Sequence, residues 1–225
     1  MEDIVGRSRL EVTRNLIDLH CTADSVIVEI GSNDASFRQF HNYSIWTTVD
    51  KYGSPDVQVD LDCETVRLPF DNDSVNVVVC TEVLEHLRMG AALVAEISRI
   101  LRRDGVAVIS VPNICSLKSR IKVALGKMPN MAASGDCGVP LGGTGMLVGE
   151  AWVGGHLVDF NAARLCNYLQ RGGLDVTSYE KIPIEIPTGP GREPITLPAW
   201  LFPATFCDFV LVTASPSESG NIIER

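Results

Sequence analysis

The sequence has no C-x-x-C pair, few aromatic residues (6%) and no apolar run as long as a membrane helix requires. Its seven cysteines stand singly, which favours buried thiols in a reducing cytoplasm over a disulfide framework or a zinc site. A membrane helix needs about 18 or more consecutive apolar residues, so none is expected. The start Met1-Glu2-Asp3 lacks the basic and apolar regions of a signal peptide. We therefore expect a cytoplasmic protein with no membrane association.

Positive charge is also scarce, with 19 Lys and Arg against 28 Asp and Glu and a net charge of −9. This balance repels nucleic-acid backbones and anionic lipids, so a small-molecule substrate is favoured and nucleic acid is disfavoured. With 45% hydrophobic residues in 225, the chain can bury one substantial core. We expect a single domain over residues 1–214 and a flexible polar tail over 215–225.

Apolar segments without polar alternation are separated by segments with helical periodicity. Strands are predicted over residues 26–30, 45–49, 56–60, 75–80, 106–111, 174–182 and 206–212. Helices are predicted over residues 8–19, 35–40, 82–87, 91–103, 116–125 and 161–170. This order predicts a doubly wound, mostly parallel α/β sheet of the Rossmann-like class. The last two strands are expected to add an antiparallel edge.

Two segments carry more specific expectations. Helix 91–103 is expected to bury a stripe formed by Leu93, Ile97, Ile100 and Leu101. Its opposite side, with Glu96, Arg99 and Arg102, is expected to face water. The glycine-rich residues 126–155 lack a regular pattern, and long segments of this kind often form lids. We expect a lid there.

Ligands of such sheets bind beyond the carboxyl ends of the strands. Gly31 follows the first strand and permits a tight turn, and Asp50 ends the second strand, where a carboxylate can bind a ribose diol. A dinucleotide fingerprint would need glycine at positions 31, 33 and 36. Asn33 and Ser36 stand there instead, so a nucleoside with an amino-acid tail is favoured over NAD.

At these positions the sequence resembles the class I S-adenosylmethionine-dependent methyltransferases, particularly the type 11 group. The resemblance covers about residues 26–112 in family order. Its carrying segments are VEIGSN (28–33), VD (49–50), LPFDNDSVNVVVC (68–80), TEVLEHL (81–87) and EISRILRRDG (96–105). It implies a methyltransferase that uses S-adenosylmethionine (SAM).

The resemblance also implies roles for individual residues around that cofactor. Glu29, Gly31 and Asn33 would border its methionine end, and Asp50 would bind the ribose hydroxyls. The base would be contacted by Lys51, Asp60 and Leu61, and the Thr81 backbone would lie near the sulfonium. The sequence departs from the family at Asn33 and Ala35, where the family has glycines, and in the short segment between Asp50 and Asp60.

Two histidines are candidate general bases. His86 follows Glu82 by four residues, so the predicted helix would place both on one face. His156 follows Gly154-Gly155 and precedes the apolar Phe160, and it could approach an acceptor from the predicted lid.

The set Glu82, Glu85, His86 and His156 also resembles a metal set found in some methyltransferases of ubiquinone biosynthesis and of small-RNA ends. Because the same string is common in relatives without metal, a divalent ion is kept only as the lesser alternative, and no metal ligand is assigned.

The function expected from the sequence is SAM-dependent methyl transfer to a small-molecule or sugar-like acceptor, on oxygen or nitrogen. Residues 126–155 and 187–203 would form the acceptor side. Pro112-Asn113 and the segment 200–203 are similar to methyltransferases of surface-polysaccharide and natural-product pathways. A SAM-binding module without catalysis is the alternative, and an NAD-dependent oxidoreductase is disfavoured by Asn33 and Ser36.

Overall fold

The structure is a computed structural model that describes residues 8–32, 36–43, 45–129, 146–148, 151–153, 155–186, 195–198 and 201–217. The strands in these ranges are β1 (Val26–Ile30), β2 (Ile45–Asp50), β3 (Val57–Gln58), β4 (Val75–Thr81), β5 (Leu101–Pro112), β6 (Met146–Val148), β7 (Ala151–Val153), β8 (Leu174–Glu180), β9 (Ile184–Ile186), β10 (Ile195–Leu197) and β11 (Phe209–Pro216). The helices are α1 (Arg9–His20), α2 (Gly90–Ile100), α3 (Leu117–Ala124) and α4 (Ala162–Arg171).

Seven of the described strands form one sheet in the order β3-β2-β1-β4-β5-β11-β8. The first five are parallel to their neighbours, and β11 runs antiparallel to both β5 and β8. The predicted doubly wound, mostly parallel sheet is therefore confirmed, as is the antiparallel edge formed by its last two strands. Two further pairs, β6 with β7 and β9 with β10, are antiparallel.

Both faces of the sheet are covered, because alternate residues of the central strands enter two separate cores. Ile27 and Val77 face the core that contains Leu16 and Ile17 of α1. Val28 and Val78 face the larger core, which contains the buried apolar residues of α2 and α4. A strand buried on both faces has no polar alternation, which explains the apolar runs in the sequence.

The helix predicted over 91–103 ends earlier, at Ile100, and Leu101 already belongs to β5. Leu101 pairs with Val75, and a register shift follows between Val75 and Val77. Residues 102–105 fall at this irregularity, where a Cβ on Gly105 would lie 3.0 Å from the carbonyl oxygen of Val75. The helical period of the preceding residues continued into Leu101 by coincidence, so the predicted boundary was wrong.

Other predicted boundaries shift in smaller ways. Residues 37–40 form a 3-10 turn, and residue 35, the predicted helix start, lies outside the described residues. β11 includes Ser215 and Pro216, which the sequence assigned to the tail, and residues 218–225 lie outside the described residues. In the predicted lid, β6 and β7 form a short hairpin, whereas residues 130–145, 149–150 and 154 lie outside the described ranges. No described helix is both long and apolar enough to cross a membrane.

Glu96 does not face water as predicted but joins α2 to the segment before β4. Its side chain accepts hydrogen bonds from the Leu68 N–H (2.9 Å), from Arg67 (3.2 Å) and from Arg99 (2.8 Å to each carboxylate oxygen). Arg99 also donates to the carbonyl oxygens of Leu68 and Phe70. Buried carboxylates require such partners, and this network fixes the loop that leads into the central strand.

Replacing Glu96 by glutamine should lower the free energy of unfolding by about 1.5–3 kcal/mol, because the charge-assisted hydrogen bonds are lost. Burial raises the pKa of Glu96, but the hydrogen bonds from Arg99 and Leu68 lower it by more, so that it lies below the usual 4.5. The wild type should therefore exceed Glu96→Gln in free energy of unfolding by the full amount above pH 4.5. This difference should shrink as the pH falls below 4.5. Urea denaturation across pH measures this, with the exposed Glu64→Gln as the matched control. Equal effects of the two variants would contradict the assignment.

Candidate active site

The turn after β1 lies against the segment after β4, because these two strands are neighbours in the sheet. Gly31 has a φ of +76°, and its N–H donates to the carbonyl oxygen of Val49 (2.8 Å). A Cβ at this position would lie 2.2 Å from Cγ2 of Val83. Position 31 therefore needs glycine both for its backbone conformation and for the close approach of the two segments.

Glu29, predicted at the methionine end of the cofactor, has partners within the chain. It is buried, and its carboxylate accepts hydrogen bonds from the Phe37 N–H (2.8 Å), the Trp46 indole N–H (2.9 Å) and the Ser36 hydroxyl. These three donors come from β2 and from the residues that follow the turn. In this structure Glu29 therefore holds the shape of the turn. Asn33 lies outside the described residues.

Asp50 ends β2 with a largely buried carboxyl group, one oxygen of which accepts the Tyr52 N–H (3.0 Å). The next predicted contacts, Lys51 and Asp60, form an ion pair with each other at 2.8 Å. The hydrogen bond between them raises the pKa of Lys51 and lowers that of Asp60. Leu61 is buried in the larger core. The structure thus brings Asp50, Lys51 and Asp60 together beside β2.

Glu82 follows Thr81, the last residue of β4, but the two do not lead into a helix as predicted. Glu82 has a φ of +57°, and only residues 84–86 form a 3-10 turn. The Glu82 carboxylate accepts a hydrogen bond from Ser110 (2.9 Å) and lies 3.8 Å from Arg9 of α1. The prediction that Glu82 and His86 share a helical face was therefore wrong, because the chain turns at Glu82.

Glu85, His86 and His156, here called the Glu85 cluster, converge beside this turn. Their potential ligand atoms all lie within 4.8 Å of one another. The rings of His86 and His156 meet edge to face with centroids 5.1 Å apart. Two backbone hydrogen bonds bring His156 here, since the N–H groups of residues 157 and 158 both donate to the carbonyl oxygen of Glu85 (2.7 and 3.1 Å).

Burial controls the protonation of this cluster. The side chain of Glu85 is 1% exposed, and burial, with a contribution from the charge of Glu82, raises its pKa to about 9. Burial also raises the pKa of Glu82 and lowers that of His86. At neutral pH, Glu85 is therefore protonated and the His86 imidazole is neutral, so His86 can accept a proton.

Some functional contacts had little signal in the sequence. Asp62 accepts hydrogen bonds from the N–H groups of Arg88 and Met89 (2.7 and 3.0 Å), the two residues that precede α2. The contact of Arg9 with Glu82 joins residues 73 positions apart along the chain. The Asp60-Leu61-Asp62 string indicated a carboxylate-rich strand end, but nothing indicated that Asp62 would bind the segment before α2.

Comparisons with known proteins agree with this geometry. Residues 34–109 match the family model of a methyltransferase domain, that of type 11. The chain is similar to the 1,6-didemethyltoxoflavin-N1-methyltransferase of Burkholderia thailandensis, whose structure contains 1,6-didemethyltoxoflavin and S-adenosylhomocysteine (SAH), with 15% identity, a TM-score of 0.55 and coverage of 93% of this chain and 78% of that one.

Two other solved structures share the fold. A SAM-dependent methyltransferase from Methanosarcina mazei has 11% identity and a TM-score of 0.53, with 90% of this chain and 97% of that one covered. A chain assigned as a methyltransferase, in complex with the Trm112 methyltransferase activator of Haloferax volcanii, has 15% identity and a TM-score of 0.53, with 94% and 99% covered. No curated protein is significantly similar to the chain in sequence.

The matched segment and the fold together support a class I SAM-dependent methyltransferase. More particularly, residues 34–109 are similar to a methyltransferase domain of type 11, which supports SAM as the cofactor. The residues at the ends of β1 and β2 offer chemical groups of the kind that bind such a cofactor. The turn at Gly31 allows close backbone approach, and Asp50 offers a carboxylate of the kind that binds ribose hydroxyls.

Replacing Gly31 by alanine should destabilise the fold by more than about 1 kcal/mol, because the added Cβ meets Val83 and the positive φ strains any L side chain. Gly126→Ala is a matched control, since Gly126 has a φ of +70° but a Cβ there would meet nothing within 4 Å. Thermal and urea unfolding should show the larger loss for Gly31→Ala. In a Val83→Ala background, which removes the clashing atom, Gly31→Ala should cost less. Equal costs at positions 31 and 126 would argue against the close contact.

Proposed function

We propose that this methyltransferase transfers the methyl group of SAM to an oxygen or nitrogen of a small-molecule or sugar-like acceptor. The observation that carries the proposal is the position of the Glu85 cluster, which follows the strand next to the Gly31 turn. A net charge of −9 favours such an acceptor over a nucleic acid. The Burkholderia neighbour, which contains a bound small molecule, supports the same choice.

For the cofactor, we propose that Asp50 binds the ribose hydroxyls, with Lys51, Asp60 and Leu61 on the side of the base. Gly31 and Asn33 would border the methionine end, with Glu29 acting on that end through the turn it holds. The Thr81 backbone would lie near the sulfonium. SAM supplies an activated methyl group, so the protein's task is to position the acceptor and to remove its proton.

For that proton, His156 and His86 are the proposed bases. The neutral His86 ring lies in edge contact with His156, so either imidazole could take a proton that the acceptor loses during transfer. The acceptor side would be completed by residues 126–155 and 187–203, with the former closing as a lid. We also propose that the protein acts in the cytoplasm, which is supported by the six described cysteines, all of them free thiols.

Asp50→Ala should weaken binding of SAM and SAH by about 10- to 100-fold, the value of one charge-assisted hydrogen bond pair. Isothermal titration calorimetry with SAH measures the loss, and circular dichroism checks that the fold survives. Asp71→Ala, which removes an exposed carboxylate, is the matched control. Unchanged affinity in a folded Asp50→Ala protein would remove Asp50 from the cofactor site.

His156→Ala should lower methyl transfer by about 10²–10⁴-fold with little change in SAH affinity, if the imidazole acts on the acceptor. The assay follows transfer of labelled methyl from SAM across an acceptor library. His20→Ala, at the far end of α1 from Arg9, controls for loss of an imidazole elsewhere. Full turnover of His156→Asn across pH would show that His156 is not the base and leave His86 as the candidate.

A further inference from the structure

The end of the sheet opposite the proposed cofactor site carries an open cleft of about 370 Å³. Residues 18 and 21–23, at the end of α1 and just after it, line one side, and residues 40–43 line the other. β2 begins at Ile45, shortly after the cleft, and ends at Asp50, a length of about 16 Å. A ligand in the cleft would therefore be neither SAM nor the acceptor of its methyl group. Clefts of this volume commonly bind small molecules.

His41 is a buried imidazole in the wall of this cleft, and one of its ring nitrogens is unpartnered. Its side chain is 2% exposed, and its ring stacks with those of Tyr43 and Trp46 at centroid distances of 5.6 and 5.4 Å. Nδ1 lies 3.0 Å from Oδ1 of Asp18. Because a carboxylate only accepts hydrogen bonds, Nδ1 carries a hydrogen, and in the neutral ring Nε2 keeps a lone pair. Nε2 has no partner among the described residues, and a buried acceptor without a donor is costly.

Asp18 gives the cleft its negative charge. Its Oδ1 also accepts the hydroxyl group of Tyr43 (2.9 Å), but its side chain remains 57% exposed, so the carboxylate can contact a ligand. Burial, with a contribution from Asp18, raises the pKa of Tyr43 and that of Cys21 to about 12. Both side chains are therefore neutral at neutral pH. None of the described residues that line the cleft is Lys or Arg, so nothing in this set offsets the charge of Asp18.

The rings in the cleft also favour a cation. Phe40 is 47% exposed, and the guanidinium group of Arg14 lies over its ring, 4.5 Å from the centroid. Aromatic faces attract cations in this way. The carboxylate of Asp18, the lone pair on Nε2 of His41 and the aromatic rings thus all suit a ligand that is positively charged and donates hydrogen bonds.

We propose that this cleft binds a small organic ammonium ion, a second ligand distinct from SAM and from the methyl acceptor. Its N–H groups donate to Asp18 and to Nε2 of His41, and its apolar part lies against Phe40 and Tyr43. Nε2 is covered by protein atoms in this structure. Contact with it therefore requires a small shift of residues 40–43, among which residues 40 and 42 are exposed.

The test measures binding of benzylammonium to the full chain by ligand-observed NMR titration, with benzyl alcohol and benzoate as neutral and anionic probes of similar size. Benzylammonium should bind saturably and at least about 10-fold more tightly than either probe, because the carboxylate of Asp18 selects for positive charge. Asp18→Asn should weaken this binding at least about 10-fold. Phe40→Leu should weaken it about 3-fold, and it serves if circular dichroism shows that Asp18→Asn is unfolded.

Asp24→Asn is the matched control, because it removes a nearby exposed carboxylate that does not line the cleft. This variant should bind benzylammonium as the wild type does, whereas a loss equal to that of Asp18→Asn would indicate general attraction to an acidic protein and overturn the site.

Three further results would overturn the proposal: no saturable binding of benzylammonium by the wild type, equal affinity for benzyl alcohol, or unchanged binding by folded Asp18→Asn. Saturating SAH should leave benzylammonium bound, and displacement by SAH would place the ion in the cofactor site instead. A protein that binds benzylammonium but not SAH would contradict the proposed function and leave the ammonium site standing. The reverse result would contradict the ammonium site alone.

Discussion

The buried carboxylate of Glu29 is the interaction on which the arrangement of the site depends. Three donors, from Ser36, Phe37 and Trp46, converge on it from the residues after the turn and from β2. A buried charge with fewer partners would destabilise the protein. These bonds therefore fix the path from β1 to β2, and with it the position of Gly31 against Val83 and of Asp50 at the next strand end. The shape of this edge of the sheet, where the cofactor is proposed to bind, therefore depends on the hydrogen bonds to one buried carboxylate.

Glu85 is a second buried glutamate at the same edge of the sheet, and its surroundings are the opposite of those of Glu29. Glu29 obtains its partners from the chain, whereas Glu85 has none of its own in the described structure. The positive φ of Glu82 shows that the backbone near Glu85 is also strained. Strained backbone at such edges is typical of functional sites. The two residues therefore differ in that hydrogen bonds within the chain satisfy the carboxylate of Glu29 and do not satisfy the carboxyl group of Glu85.

The sequence predicted the parts of the fold that depend on local pattern. The run Val77-Val78-Val79 indicated a doubly buried strand, which the structure contains. Gly31 and Asp50 indicated the edge of the sheet at which the cofactor is proposed to bind. The helix end at Ile100 was missed, because Leu101 continues the helical period and only its pairing with Val75 decides the boundary. The proximity of His156 to Glu85 was indicated only by the resemblance to a metal set of some methyltransferases, and no local pattern in the sequence predicted it. It depends on backbone hydrogen bonds between residues about 70 positions apart, for which no local pattern exists.

The place of β11 in the sheet has a consequence for how the protein is made. Residues 209–216 lie between β5 and β8, although they are the last described strand to leave the ribosome. Until then β5, a strand of 12 residues, has a bare edge, and β8 has no neighbour among the described strands. An unpaired apolar edge attracts other chains, and pairings distant in sequence form slowly. Nascent chains halted before residue 209 would therefore be especially prone to aggregation and dependent on chaperones.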